Sequence, residues 1–98
     1  MTVKLSLIVN DALIETDYFV EEFIDHIVSG MIEALEDTSE IKDLDLAIEG
    51  DNVTINLNGA VVPLNTFASK IVRSTIIGTV STLKGVNDIE KLSLVLRK

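Results

Sequence analysis

The chain has 98 residues, of which 47% are hydrophobic, it contains no cysteine, and its formal net charge is −8. A chain of this length forms a single domain, residues 1–98, that can bury a core without disulfides. The absence of cysteine excludes thiolate metal sites and a thiol nucleophile. The acidic balance repels nucleic acid and anionic membranes, so neither is predicted as a partner.

The sequence carries no signal for export or membrane insertion. No apolar run reaches the ~18 residues of a membrane span, because Lys70 and Arg73 interrupt the longest candidate. The first residues, MTVKLSLIVND, lack a basic region and a small-residue cleavage site, and have the pattern of a strand instead. These features predict a cytoplasmic protein.

Charge is distributed unevenly along the chain. Residues 1–51 hold 14 acidic and 2 basic side chains, whereas residues 52–98 hold 2 acidic and 6 basic, giving −12 and +4. The split predicts an acidic first helix and a basic second one. The opposite charges can pair within one molecule or between two copies.

The first half of the chain predicts a strand, a helix and a second strand. Residues 2–9 and 44–49 alternate between apolar and polar side chains. Between them, Thr16 or Asp17 can cap a helix that runs to about Glu36. Ile32 falls outside the predicted buried face of this helix. That face comprises Phe19, Val20, Phe23, Ile24, Ile27, Val28, Met31, Ala34 and Leu35.

The second half gives the clearest local signals. Asn58-Gly59 suits a tight hairpin turn after a strand at 53–57, and it allows an extra short strand at 60–62. Asn65 can cap a helix that ends at Gly85, and residues 89–97 alternate as a last strand. The predicted apolar face of this helix comprises Leu64, Phe67, Ala68, Ile71, Val72, Ile76, Val80 and Leu83.

Small residues on both helices predict a close helix–helix approach. Gly78 lies in a strip with Ser74, and a glycine inside a helix costs about 1 kcal/mol relative to alanine. Gly30, beside Ala34 on the first helix, is its natural counterpart. We therefore expect the two helices to pack closely there.

The order strand, helix, strand, strand, helix, strand predicts an α+β fold. Two split βαβ units give a ferredoxin-like βαββαβ architecture, in which a four-stranded antiparallel sheet carries both helices on one face. The expected strand order is fourth, first, third, second.

One segment also resembles known sequences. The pattern LN-x-F…TIIGTVSTLKG, residues 64–85, is similar to a group of short uncharacterised prokaryotic proteins. The resemblance covers the second helix and its flanks. It implies a microbial cytoplasmic protein and implies no activity.

Oxygen-bearing loops at one end of the predicted sheet form a first candidate site. Carboxylate and amide oxygens are the ligands that Ca²⁺ or Mg²⁺ would need, although Asn and Asp are also ordinary turn formers. The candidate ligand or metal residues are Asn10, Asp11, Asp51, Asn52 and Asp88.

A second candidate site lies along one flank of the first helix. His26 is the single histidine, with Glu22 one turn before it and Glu33 two turns after. Such a strip can hold Zn²⁺ or serve as a base. It also fits a plain acidic, solvated helix, because three ligands over three turns cannot all reach one ion.

The open face of the predicted sheet is the third candidate. It contains no aromatic residue, which argues against stacking of nucleic-acid bases. Its neutral centre and charged borders favour contact with a second copy. The predicted interface residues are Lys4, Ser6, Ile8, Asp45, Ala47, Glu49, Lys91, Ser93, Val95 and Arg97.

Three hypotheses for function follow. The first is a non-catalytic interaction or regulatory module that acts as a homo-oligomer or binds another protein, without a cofactor. The second is a small-ligand or divalent-metal-binding regulator that uses the loops. The third is an enzyme that uses His26 with a nearby carboxylate. No catalytic residue is predicted, because no glycine-rich phosphate loop, GxSxG or CxxC motif is present.

Overall fold

The structure is a computed structural model, and it describes residues 4–36, 41–83, 85–86 and 88–98. The strands are β1 (Lys4–Val9), β2 (Ala12–Leu13), β3 (Asp43–Glu49), β4 (Asn52–Leu57), β5 (Ala60–Val61) and β6 (Lys91–Arg97), and the helices are α1 (Tyr18–Glu36) and α2 (Thr66–Val80). Neither helix, within the described residues, has the length and apolar content needed to cross a membrane.

The six strands form one antiparallel sheet in the order β2-β1-β6-β3-β4-β5. The α+β class and the antiparallel sheet are therefore confirmed. The strand order is not: the ferredoxin-like prediction placed β1 and β4 at the centre, whereas β6 and β3 are the central pair. The short strand predicted at 60–62 is present as β5, and β2 is a second short strand that the sequence did not predict.

Cross-strand charge pairs favour the observed order. In the β3–β6 pairing, Asp43 lies opposite Arg97 and Glu49 opposite Lys91. The Nε atom of Arg97 is 3.3 Å from an Asp43 carboxylate oxygen. Hydrophobic alternation is alike in all four long strands, so it cannot distinguish neighbours. Placing the acidic strand beside the basic one satisfies these charges inside the sheet.

Both helices cover the same face of the sheet. Alternate residues of every long strand are buried, apart from the half-buried Leu5 and Val53, and the residues between them remain partly or fully exposed. The buried side chains of sheet and helices form one cluster, so a single core lies between the two layers. Its most deeply buried members are Leu7, Ile24, Val28, Ile32, Leu44, Leu46, Ile55, Val72, Ile76, Val80, Leu94 and Leu96.

The helix starts agree with the sequence signals, and one helix end does not. Asp17 accepts a hydrogen bond from the Val20 N–H, and Asn65 accepts one from the Ala68 N–H at 2.7 Å, so both act as N-caps. The second helix was predicted to run to Gly85, but α2 ends at Val80 with Ser81 as its C-cap.

The chain is an internal duplication with an offset of 48 residues. Residues 4–49 align without a gap on residues 52–97, so that β1, β2, α1 and β3 correspond to β4, β5, α2 and β6. Eight aligned pairs are identical, and their members in the first repeat are Asn10, Ala12, Phe19, Gly30, Leu35, Ile41, Leu44 and Leu46. Each repeat is therefore one β-hairpin, one helix and one further strand.

The two repeats are related by a pseudo-twofold axis. If each strand is replaced by its counterpart, the order β2-β1-β6-β3-β4-β5 becomes β5-β4-β3-β6-β1-β2, which is the same order read from the opposite edge. The registers agree as well, since the pair Ile8–Leu13 becomes Asn56–Val61. Leu46 lies opposite Leu94, its own counterpart. The axis thus passes between β3 and β6 at these leucines, and each repeat completes the sheet of the other.

Corresponding turns are built by corresponding residues. Asn10-Asp11 and Asn58-Gly59 each join two strands with positive φ at both positions, 49° and 69° in the first turn and 50° and 87° in the second. This is the geometry of a tight type I′ hairpin, which glycine adopts most easily. Asp11 is thus the less favourable residue at its position.

We predict that Asp11→Gly stabilises the protein by about 0.5–1 kcal/mol, because it removes the cost of positive φ from a side chain. The reciprocal change Gly59→Asp should destabilise it by a similar amount. Urea denaturation of both variants provides the measurement. A loss of stability in Asp11→Gly would show that the Asp11 side chain has a stabilising role of its own.

The predicted close approach of the helices within the chain is wrong. A Cβ atom added at Gly30 or Gly78 would meet no neighbouring group within 4 Å. Both glycines are exposed on the outer side of the helical layer. The helices pack mainly on the sheet, and these positions remain open.

Candidate functional site

The ten side chains predicted as an interface do lie together on the open face of the sheet. They belong to three neighbouring strands, β1, β6 and β3. Seven of them are exposed, while Asp45, Ser93 and Val95 are half-buried. The central charges already pair within the chain, since Arg97 also approaches Asp45 at 3.4 Å. This leaves a mostly polar surface on which Ile8 is 39% exposed.

The predicted loop cluster is partly assembled at one end of the sheet. The Asn10 side chain donates a hydrogen bond to the Asp88 carbonyl at 2.9 Å and accepts from the Glu90 and Lys91 N–H groups. The Gly50 N–H bonds to the Glu90 carbonyl, which brings the turn before Asn52 to the same end. Asp51 instead lies 3.9 Å from Arg73.

The role of Asn10 is structural. Its counterpart Asn58 accepts in the same way from the Lys42 and Asp43 N–H groups, at 2.8 and 2.9 Å. Both asparagines therefore fasten a hairpin turn to the neighbouring strand. Among the described residues, no group of three or more His, Asp or Glu side chains has an arrangement suited to a metal ion. The ligand site at these loops stays a prediction.

The helix strip of Glu22, His26 and Glu33 lies on the outer side of α1, and all three side chains are exposed. Glu22 raises the pKa of the neighbouring Tyr18 above 10.0, chiefly because the phenol hydroxyl donates a hydrogen bond to the carboxylate and also through the negative charge of that carboxylate. The strip therefore has the surroundings of a solvated helix surface, and its proposed chemistry stays a prediction.

Each helix is tied to the sheet by one charged side chain at corresponding positions. Asp25 of α1 forms a 2.8 Å ion pair with Lys98, and Ser29 donates a hydrogen bond to the same carboxylate. Arg73 of α2, the counterpart of Asp25, donates to the Gly50 carbonyl at 2.7 Å. Gly50 is in turn the counterpart of Lys98, so the two contacts are equivalent despite opposite charges.

A surface hollow of about 530 Å³ lies along the first turns of α2 and is lined in part by Asp51, Asn65, Lys70 and Arg73. One of its two cations, Arg73, is already bound to the turn at Gly50 and Asp51. One of the two positive charges that line this hollow is therefore already engaged within the chain.

The helical layer carries the most unusual surface. All four aromatic side chains of the chain are exposed there: Tyr18 by 76%, Phe19 by 71%, Phe23 by 52% and Phe67 by 72%. Ile71, the counterpart of Phe23, is 49% exposed. The Phe19 and Phe23 rings stack with centroids 5.9 Å apart. Soluble proteins seldom leave so many large apolar groups uncovered on one surface.

Ile71, one of these side chains, borders the furrow between the two helices. A hollow of about 170 Å³ is lined by Met31, Ala34 and Leu35 of α1 and by Ile71, Val72 and Thr75 of α2. The end of α1 thus lies beside the middle of α2. The two helices run antiparallel because the pseudo-twofold axis that exchanges them is perpendicular to the sheet between β3 and β6. At 100° per residue, the exposed residues on this side of each helix lie four or seven positions apart. We call this the furrow surface: Phe19, Phe23, Gly30 and Ala34 of α1 with Phe67, Ile71, Gly78 and Thr82 of the α2 segment.

Sequence reasoning missed the furrow surface because it assigned the large members to the core. Phe19, Phe23, Phe67 and Ile71 were predicted to be buried, and Ile32, predicted to lie outside, is 1% exposed. A comparison of the chain with itself at an offset of 48 residues would have paired Phe19 with Phe67 and Gly30 with Gly78. That signal marks the furrow surface as a repeated feature.

No family model, curated protein or solved structure matches this chain.

Proposed function

We propose that this chain is a non-catalytic protein-interaction or regulatory module that acts as a homo-oligomer. The single observation that carries the proposal is the exposure of all four aromatic side chains on the helical layer. Water-exposed apolar area of this kind is stabilised when a partner covers it. A cytoplasmic location and a prokaryotic origin, both expected from the sequence, belong to the same proposal.

The polar groups of the molecule support a structural use over a chemical one. Among the described residues, Asn10, Asn58, Asp25 and Arg73 bind backbone or neighbouring side chains that hold the fold together. His26 is exposed on the outer side of α1. Contact with another protein thus remains the use that best fits the uncovered surface.

Size-exclusion chromatography with light scattering should give twice the mass of one chain or more. Hydrophobic association predicts that the oligomer persists at high salt, whereas a purely ionic one would dissociate. A single-chain mass at every protein concentration and salt concentration would contradict the proposal.

A further inference from the structure

We propose that the furrow surface is the site where a second copy of this chain binds, with α1 of each copy lying over α2 of the other. This inference rests on the proposed function in one respect, namely that the chain self-associates. It adds which surface is used and in which orientation. The result would be a layer of four helices between two sheets.

The apolar content of the surface is the first argument. Phe19 and Phe23 lie at one end of the furrow surface and Phe67 and Ile71 at the other, because the helices are antiparallel. These four side chains are between 49% and 72% exposed. On the open face of the sheet, the corresponding large apolar side chains are Ile8 and the half-buried Val95. The furrow surface is therefore the larger apolar area, and anchors of interfaces are commonly aromatic.

The shape of the surface is the second argument. Gly30 and Gly78 occupy corresponding positions in the middle of the furrow surface, and the space around them is open. Glycine inside a helix is unfavourable on its own, so its presence at two corresponding positions favours a contact that offsets the cost. Small residues permit the backbones of two packed helices to approach closely. The two glycines thus leave a narrow central part of the furrow surface, the waist, where helices of two copies can cross. Large side chains lie on both sides of this waist.

Charge is the third argument, and it identifies the partner and the orientation. The outer side of α1 carries Glu22 and Glu33, whereas the outer side of α2 carries Lys70. Laying α1 over α1 of a second copy would bring acidic side chains together. Laying α1 over α2 brings Glu33 near the level of Lys70 of the second copy, because Ala34 and Ile71, their neighbours in sequence, line the same hollow. Opposite charges therefore favour this arrangement twice in one symmetric dimer.

A twofold axis parallel to the helices produces this arrangement. Rotation about that axis places α1 of one copy antiparallel to α2 of the other. The large residues of the first half of each helix then face the small residues of the second half of its partner helix. Thr82 and Ala34 are the small residues opposite Phe23 and Ile71.

The steric test replaces a waist glycine with a longer polar side chain. We expect Gly78→Gln to weaken dimerisation about tenfold or more, since loss of close packing at the centre of an interface is costly. Its thermal midpoint as a monomer should stay the same or rise, because glutamine favours a helix more than glycine does. Thr66→Gln is the matched control, an exposed position of α2 on the flank away from α1 that should leave the dimer intact.

The charge test fixes the orientation and does not depend on the glycine. Glu33→Lys and Lys70→Glu should each weaken the dimer about two- to fivefold, as rim charges do. Combined in one chain, the two reversals should restore the wild-type dissociation constant. If α1 lay over α1, Glu33→Lys would instead strengthen association.

Sedimentation at a series of concentrations separates the outcomes. Loss of the dimer in Gly78→Gln with its retention in Thr66→Gln, together with rescue by the double charge reversal, supports the inference. A dimer that survives Gly78→Gln but is broken by Ile8→Lys or Val95→Lys overturns it and leaves the proposed function standing with the sheet as interface. A wild-type chain that is monomeric throughout overturns both.

Discussion

A chain cut between Gly50 and Asp51 is expected to reassemble from its two halves into the native fold, while neither half folds alone. This turn joins β3 to β4 and separates the two repeats. Within one repeat only the short hairpin is paired: β1 pairs with β6, and β3 pairs with β4 and β6. Each half therefore lacks the strands that complete its sheet, and isolated hairpins are marginal in water.

Charge should make this reassembly selective. In the intact chain Asp43 faces Arg97, and Glu49 faces Lys91. If two copies of the first half paired with each other, Glu49 would take the place of Arg97 and face Asp43. Two copies of the second half would likewise oppose Lys91 and Arg97. Like charges directly opposite each other in a sheet are destabilising.

Circular dichroism of the separate and mixed halves provides the measurement. The mixture should recover the helical signal of the intact chain and elute as a one-to-one complex. Self-mixtures of each half serve as controls. A first half that shows the full helical signal by itself would disprove the dependence of one repeat on the other.

Replacing Leu94 with alanine should lower the free energy of unfolding by about 3–5 kcal/mol. Leu46 and Leu94 meet on the pseudo-twofold axis and are 1% and 0% exposed. Alanine at either position leaves a cavity in the same central part of the core. The two single variants should therefore agree within about 1 kcal/mol, given the usual scatter between sites.

Urea denaturation of both alanine variants tests this expectation. The exposed Thr54 of β4 offers a control, because Thr54→Ala should cost less than about 1 kcal/mol. A small loss at Leu94 with a large loss at Leu46 would mean that the two halves of the core are packed differently in spite of their equivalent registers.

Local features were predictable because each depends on a few neighbouring residues. The Asn65 cap and the Asn58-Gly59 turn require only particular side chains at particular spacings, and both are present. Alternation identified the inward side of each long strand for the same reason. The Asn10-Asp11 turn has the same geometry as Asn58-Gly59, but without glycine it lacks the strongest hairpin signal.

The strand order depends on contacts between distant residues, and alternation carries no information about them. Opposite charges on β3 and β6 were visible in the sequence, yet the acidic and basic strands were assigned to separate borders. Asp43 and Arg97 show that the two strands are neighbours. The duplication was equally hidden, because only eight of the aligned positions are identical.

The furrow surface escaped prediction for a different physical reason. A broad apolar stripe on a helix is ordinarily assigned to one core, but the sheet covers only part of that stripe here. Val28 is fully buried by it, whereas Phe19 on the neighbouring side is not. Sequence periodicity reports the total width of an apolar face and does not reveal how many partners share it.

Opposite charges at corresponding positions of the two repeats give the molecule an electrical polarity. A body with true twofold symmetry has no dipole moment perpendicular to its axis. Here Glu22 and Asp25 of one repeat correspond to Lys70 and Arg73 of the other, so the pseudo-symmetric frame has a negative flank at α1 and a positive flank at α2. The field of an approaching charged body therefore exerts a torque on the domain and orients it before contact. The two otherwise similar halves become distinguishable at a distance.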